Sequence, residues 1–291
     1  MRTAARLRED AETLAGPLPP LLAAAEHLAA SVMAGEHGRR RVGQGDQFWQ
    51  YRPSHPGDEA RAIDWRRSAR SDGLFVREKE WQAAQSVMLW RDTGQSMEFS
   101  LAKDLPTKAD TARRLALALS ILLIRGGERV GFSNIGLQPR SGQVQLLRLT
   151  ESLAEAPEDR EYIAPELRGI PARSRAVFFS DFLGDLGPVE KSLTQAADRG
   201  IDGAIVQILD PQEEAFPFNG RTIFESVGGS LEHETLKAND LRDRYLDRLA
   251  ARKDALMSLT RATGWQYLCH HTDRSTASAL LWLYGAMERA H

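Results

Sequence analysis

A single cysteine, Cys269, excludes an intramolecular disulfide, and one thiol cannot by itself build a thiolate zinc cluster. Its surroundings, Gln266-Tyr267-Leu268-Cys269, read as a buried edge strand, an apolar setting that keeps a thiol protonated and unreactive. Long apolar runs are also missing. The most sustained, 115–124, is interrupted by Ser120 and falls well short of the ~20 residues a membrane-spanning helix needs. The first residues carry Arg6, Arg8, Glu9 and Asp10 without the apolar segment of a secretory signal, so the expected location is the cytoplasm. Net charge is scarce, at −2, so binding to nucleic acid or anionic lipid would need a local patch. There is no internal repeat. Gly43-Gln44-Gly45 lacks both the strand-to-helix setting of a dinucleotide loop and the lysine of a phosphate loop.

What is present is an ordinary globular composition, 42% hydrophobic and 27% charged over 291 residues. Three stretches differ in character. Residues 1–37 are alanine-rich and helical in pattern, broken at Pro17, Pro19 and Pro20. Leu21, Leu22, Ala25, Leu28, Ala29 and Met33 form a stripe that must lie on the rest of the chain or on a partner. Residues 38–84 are rich in arginine and tryptophan and are expected to be β-rich. Residues 85–291 alternate strands with helices. Strands are expected at 86–90, 129–135, 175–180, 203–209 and 266–269, and helices at 107–124, 143–153, 187–199, 239–263 and 275–287. This order implies an α/β fold with a mainly parallel sheet covered by helices on both faces.

Such sheets bind ligands beyond the carboxyl ends of their strands. Two strands run into acids there, Trp90-Arg91-Asp92 and Phe179-Ser180-Asp181. If both strands are central, Asp92 and Asp181 meet at one edge, where carboxylates and hydroxyls suit a hard ion such as Mg²⁺. Each acid also has a plainer reading, as the cap of its own following turn. Asp210 precedes Pro211 and reads as a turn residue. His270 and His271, with Asp273 nearby, read as a solvated turn, because neighbouring strand side chains point to opposite faces.

Residues 61–70 hold four arginines against one aspartate. Arginine forks beside tryptophans can grip phosphates and bases, so Arg61 to Arg77 is one candidate nucleic-acid surface. The alternative is internal. Asp58, Asp64 and Glu78 would pair with Arg61, Arg66 and Arg77, while Trp49, Trp65 and Trp81 pack as a small satellite core. The acids interspersed among the bases favour this second reading.

The runs Gly43-Gln44-Gly45-Asp46-Gln47-Phe48-Trp49-Gln50-Tyr51-Arg52-Pro53, Pro56-Gly57-Asp58, Arg61 to Arg70 and Val76-Arg77-Glu78 resemble the bacterial domain-of-unknown-function 58 family. The likeness continues through Asp92-Thr93-Gly94-Gln95-Ser96-Met97, Phe179-Ser180-Asp181-Phe182, Asp210-Pro211-Gln212-Glu213 and Phe216-Pro217. It implies a von Willebrand factor A-like domain and a MoxR-type AAA+ ATPase as partner. It also implies a metal-ion-dependent adhesion site, whose Asp-x-Ser-x-Ser loop is matched by Asp92 and Ser96. Asp181 matches the third-loop aspartate. Gly94 stands where the first serine belongs, and Ser141 is the nearest counterpart of the second-loop threonine, so the site for Mg²⁺ is degenerate. The implied function is a non-catalytic, protein-binding adaptor that captures an acidic side chain. A metal-dependent phosphohydrolase using Asp92 and Asp181 is the alternative, and nucleic-acid binding through Arg61 to Arg77 a third.

Overall fold

The computed structural model describes residues 25, 29, 48–54, 63–70, 73–79, 84–101, 104–154, 158–225 and 232–289. Of these, Ala25, Ala29 and everything from Gln85 onward cluster into one compact unit, and those from 48 to 84 into a second.

In the smaller unit, strand β1 (Phe48–Pro53) pairs antiparallel with β2 (Phe75–Lys79), with one register shift. Between them lies a single helical turn, α1 (Trp65–Ser68), whose N-cap Asp64 accepts a hydrogen bond from the Arg67 amide. The Ser68 hydroxyl ties the turn to the sheet, donating to the Asp64 carbonyl and accepting from the Phe75 amide. Trp65 departs from the expected satellite core: it is 60% exposed. Arg61 and Trp81 lie outside the described residues, as do the side chains of Trp49 and Arg77.

The larger unit is an α/β layer structure of the expected von Willebrand factor A-like kind. Its strands are β3 (Ser86–Arg91), β4 (Arg129–Phe132), β5 (Leu137–Arg140), β6 (Arg175–Ser180), β7 (Asp202–Leu209) and β10 (Gln266–His271). They lie in the spatial order β10-β7-β6-β3-β4-β5, parallel except for β5 at one edge. A separate antiparallel pair joins β8 (Thr222–Glu225) to β9 (Glu232–Thr235). The helices are α2 (Lys108–Arg125), α3 (Gln143–Leu153), α4 (Leu186–Asp198), α5 (Pro211–Ala215), α6 (Asn239–Thr263) and α7 (Thr276–Arg289).

Strand side chains alternate between two apolar layers, as the pleat requires. Val87, Leu89, Val177, Phe179, Ala204, Val206 and Ile208 face α2, α3 and α7. Met88, Trp90, Ala176, Phe178 and Ile205 face the other way, onto Val189, Leu193 and Ala196 of α4 and Leu256 of α6. Phe178 stacks against Trp265 at 4.9 Å between ring centres, and the Trp265 indole N–H donates to the Ile201 carbonyl at 3.0 Å. Ala25 and Ala29, one helical turn apart, are fully buried in the first layer. The N-terminal stripe therefore packs, at those two positions, on the chain's own core. Among the described residues, no helix is long and apolar enough to cross a membrane.

Several elements were not expected, among them β8, β9 and the short helix α5. The stretch 129–135 is not one strand: β4 ends at Phe132, a 3₁₀ turn follows, and Gly136 at φ 67° reverses the chain into β5. A left-handed residue with no Cβ lets the turn close without strain. The expected edge strand 266–269 extends to His271, so the two histidines belong to β10 rather than to a solvated turn.

Strands β6 and β7 approach closely at Gly203, opposite Ala176. A Cβ there would collide with the Ala176 carbonyl. Gly203→Ala is expected to destabilise the chain by about 1–3 kcal/mol in a urea melt, the usual cost of overpacking. Unchanged stability would show that these strands have slack.

Candidate functional site

The carboxyl ends of β3 and β6 lie side by side, because the strands are adjacent and parallel with Arg91 level with Phe179. The Asp92 amide donates to the Phe179 carbonyl at 2.8 Å, carrying the pairing one residue past the strand. Asp92 and Asp181 are thus brought to one edge, both almost fully buried.

Each acid divides its oxygens in the same way. Asp92 Oδ1 accepts from the Gly94 amide at 2.8 Å, and Oδ2 from the Ser180 hydroxyl at 2.7 Å. Asp181 Oδ1 accepts from the Leu183 amide at 3.0 Å, and Oδ2 from the Lys108 ammonium at 2.8 Å. One oxygen of each therefore caps its own turn, while the other reaches across the edge. The Gln207 side chain donates to the Asp181 carbonyl at 2.8 Å and accepts from the Tyr267 hydroxyl at 2.6 Å, fixing the loop from beneath.

Lys108, which the motif reading did not single out, brings a buried positive charge to the site. Its side chain is 1% exposed and bridges Asp181 and, at 2.7 Å, Glu213 Oε1. Glu213 in turn belongs to a capping box: its Oε2 accepts from the Asp210 amide, and Asp210 Oδ1 accepts from the Gln212 amide. Asp210, read from the sequence as a turn residue, is thus the N-cap of a short helix. Burial alone works against a charged lysine. The charges of Asp181 and Glu213, and their hydrogen bonds, outweigh it and hold the ammonium's pKa above its usual value. Burial raises the Glu213 carboxyl, with the Lys108 charge opposing. Burial also pushes Asp92 up to about 7, against the Ser180 hydrogen bond and with help from the Asp181 charge.

A segment from Glu158 to Ile163 crosses the Asp92 loop. The Gln95 and Ser96 amides donate to the Arg160 and Glu161 carbonyls, the Glu158 amide donates to the Thr93 carbonyl, and the Thr93 hydroxyl to Glu158 Oε1 at 2.8 Å. This cover explains Gly94: a Cβ there would sit 2.6 Å from the Glu161 carbonyl oxygen. Beside Asp92 remains a cavity of about 110 Å³, lined by Tyr162, Ile163, Ser180, Phe182 and Pro188 among others. Phe182 closes it with a strained backbone, at φ 50°.

The four residues expected to hold an ion divide unequally. Asp92, Ser96 and Asp181 share the edge, and the Ser96 hydroxyl is buried without a hydrogen-bond partner among the described residues. Ser141 is a correction. It follows β5, which runs antiparallel with Arg140 level with Val130 near the start of β4, so Ser141 lies exposed at the opposite end of the sheet. The remaining donors fit Mg²⁺ poorly. Lys108 already supplies a cation against Asp181, and a divalent ion placed beside it would meet strong repulsion in a setting that screens little.

Compared with known proteins, residues 50–255 match the sequence profile of the family described as "Protein of unknown function DUF58". Uncharacterized proteins of Mycobacterium tuberculosis and Mycobacterium bovis are 26% identical over 279 residues, 91% of this chain and 87% of theirs. Among solved structures, the conserved hypothetical protein BatB from Bacteroides thetaiotaomicron aligns with 72% of this chain and 100% of its own, at 14% identity and TM-score 0.38. An aerotolerance-related membrane protein from Bacteroides fragilis aligns with 71% of this chain and 100% of its own, at 13% identity and TM-score 0.41.

Two outcomes follow from this electrostatic arrangement. Lys108→Met leaves Asp181 and Glu213 buried without their cation and is expected to cost about 3–5 kcal/mol in chemical denaturation. A loss under 1 kcal/mol would mean the pair is not held as described. Asp92 ionises near 3.8 as a free side chain and about 7 in the fold. Between these values the native state holds the extra proton, so stability falls as pH rises through the window, and above it the penalty is complete. Asp92→Asn carries no such penalty. Its advantage over the unaltered chain should grow from near zero at pH 4 to at most about 4 kcal/mol at pH 8. A gap that stays flat with pH would contradict the burial argument.

Proposed function

Because the chain belongs to the family described as protein of unknown function DUF58, we propose that it acts in the cytoplasm as a non-catalytic, protein-binding adaptor. Its partner in this reading is a MoxR-type AAA+ ATPase, as the family resemblance implies, and its binding face is the carboxyl edge of the large sheet. The observation that carries the reading is the internal engagement of the acids. Asp92 and Asp181 each spend one oxygen on their own turn and one on a neighbouring side chain, under the cover of residues 158–163. A metal-dependent phosphohydrolase would need those oxygens free to hold an ion against a phosphate. A binding face needs only a preorganised surface with a recess, and the cavity beside Asp92 takes one side chain of a partner. The surface residues beside this edge include apolar ones. Tyr162, which lines the cavity, is 42% exposed, and Leu101, whose amide donates to Asp210 Oδ2, is likewise 42% exposed.

A Mg²⁺-dependent form of the same reading draws support from one feature, the buried and unpartnered hydroxyl of Ser96. In that form an acidic side chain of the partner would complete the coordination of an ion held by Asp92, Ser96 and Asp181.

The test is capture of the purified MoxR-type ATPase by the full chain, with and without EDTA. Tyr162→Ala and Leu101→Asp are expected to weaken capture about tenfold or more with no change in thermal midpoint, and EDTA to leave it unchanged. Undiminished capture by both variants would refute the binding face. Loss of capture in EDTA alone would select the Mg²⁺ form.

A further inference from the structure

On the face of β10 turned toward α6, Tyr267 is followed at strand spacing by Cys269 and His271. Glu214 of α5 meets them at the end of the strand. The Glu214 carboxylate, the Cys269 sulfur and a His271 ring nitrogen all lie within 4.8 Å of one another, on half-buried side chains. His271 Nε2 is 2.8 Å from Glu214 Oε2, yet it is a buried atom that makes no hydrogen bond among the described residues. Two groups rich in lone pairs are therefore pressed together and out of line for a shared proton. The charge that relieves them comes from α6: the Lys253 ammonium pairs with Glu214, and its charge favours the Cys269 thiolate against the burial that raises the thiol's pKa. A cation thus already stands among these donors.

We propose that Glu214, Cys269 and His271 form a Zn²⁺-binding site, with Lys253 as the ammonium that the ion displaces. One thiolate, one imidazole and one carboxylate are donors that zinc takes together, with a fourth position left for water. Zinc bonds of about 2.0–2.3 Å place tetrahedral donors roughly 3.3–3.7 Å apart, so short rotations of side chains that are 22% (His271) and 35% (Glu214) exposed complete the sphere. Lys253 is 22% exposed and long enough to turn its ammonium into solvent. On binding, the thiol proton leaves to solvent, the sulfur–zinc bond forms, and the Lys253 charge is exchanged for the ion. Glu213 and Glu214 are neighbours on α5, so the ion would brace the same short helix whose other acid grips Lys108.

Cobalt(II) is the probe, because a cobalt–thiolate bond gives a near-ultraviolet charge-transfer band and Cys269 is the chain's only thiol. The unaltered protein, purified without metal under reducing conditions, is expected to take up one equivalent of Co²⁺ with that band, and Zn²⁺ to abolish it. Cys269→Ser should lack the band. His271→Ala and Glu214→Gln should weaken binding at least tenfold, and Lys253→Met should tighten it several-fold. Absence of the band in both the unaltered protein and Lys253→Met, with native circular dichroism, overturns the proposal. So does cobalt affinity in His271→Ala and Glu214→Gln equal to that of the unaltered protein, which would leave the thiol acting alone.

Discussion

An ammonium buried to 1% exposure can persist only if its charge is answered at contact distance, and in this chain Asp181 and Glu213 answer it together. Three separate pieces of chain are thereby obliged to meet: the first turn of α2, the loop after β6 and the short helix after β7. The neighbouring features serve that meeting. Gln207, backed by Tyr267, fixes the carbonyl of Asp181, and the capping box at Asp210 aims Glu213. Ser180 binds the Asp92 loop to the same edge. The edge is consequently a network in which the oxygens of Asp92 and Asp181 and the Lys108 ammonium already have hydrogen-bond partners.

Lys108 stands in for much of what a metal would do at such an edge. It draws together acids from distant loops and offsets their repulsion, and it does so without depending on free ion concentration. It differs in number and direction of bonds. An ammonium has three hydrogen bonds to donate, two of which Asp181 and Glu213 take, and it sits almost wholly buried, whereas a hydrated Mg²⁺ exchanges water for a carboxylate. With Asp181 and Glu213 occupying it, Lys108 has little to offer an incoming acid. In the proposed adaptor reading, recognition then rests on shape and on the apolar rim around Tyr162.

The sheet was legible because its central strands, buried on both faces, are short continuous apolar runs set between helices of period 3.6. The spans 143–153, 175–180 and 239–263 coincide with α3, β6 and α6. Strand β5 was not legible: Leu137-Gln138-Pro139-Arg140 is a half-exposed edge, so only one side of it needed apolar residues, and the pattern is too short to register. That one omission also misplaced Ser141, since a hidden antiparallel strand carries the chain to the far end of the sheet. Asp92 and Asp181 could be found from strand ends alone. Lys108 had a signal that the reading passed over. It precedes Ala112 by four residues and Leu115 by seven, and so falls on the buried stripe of its own helix, where a charge must have a buried answer. Glu213 offered no such period, because a five-residue helix is too short to show one.

The single departure in the Asp92 loop bears directly on which chemistry the edge can host. Gly94 lacks the hydroxyl that a metal-binding loop would present, and the backbone of Glu161 comes too near for any Cβ at that position. The loss is therefore built into the packing. To restore a serine, the segment 158–163 would have to lift, exposing the amides of Gln95 and Ser96 that it now satisfies. Exchanging each of those hydrogen bonds for one to water costs about 0.5–1.5 kcal/mol. A covered loop and an open metal site are thus alternatives at this edge, and the hydrogen bonds across it favour the cover. In the proposed adaptor reading, the surface left for a partner is the cover and the rim of the cavity beside Asp92, with the acids below as supports that keep both in place.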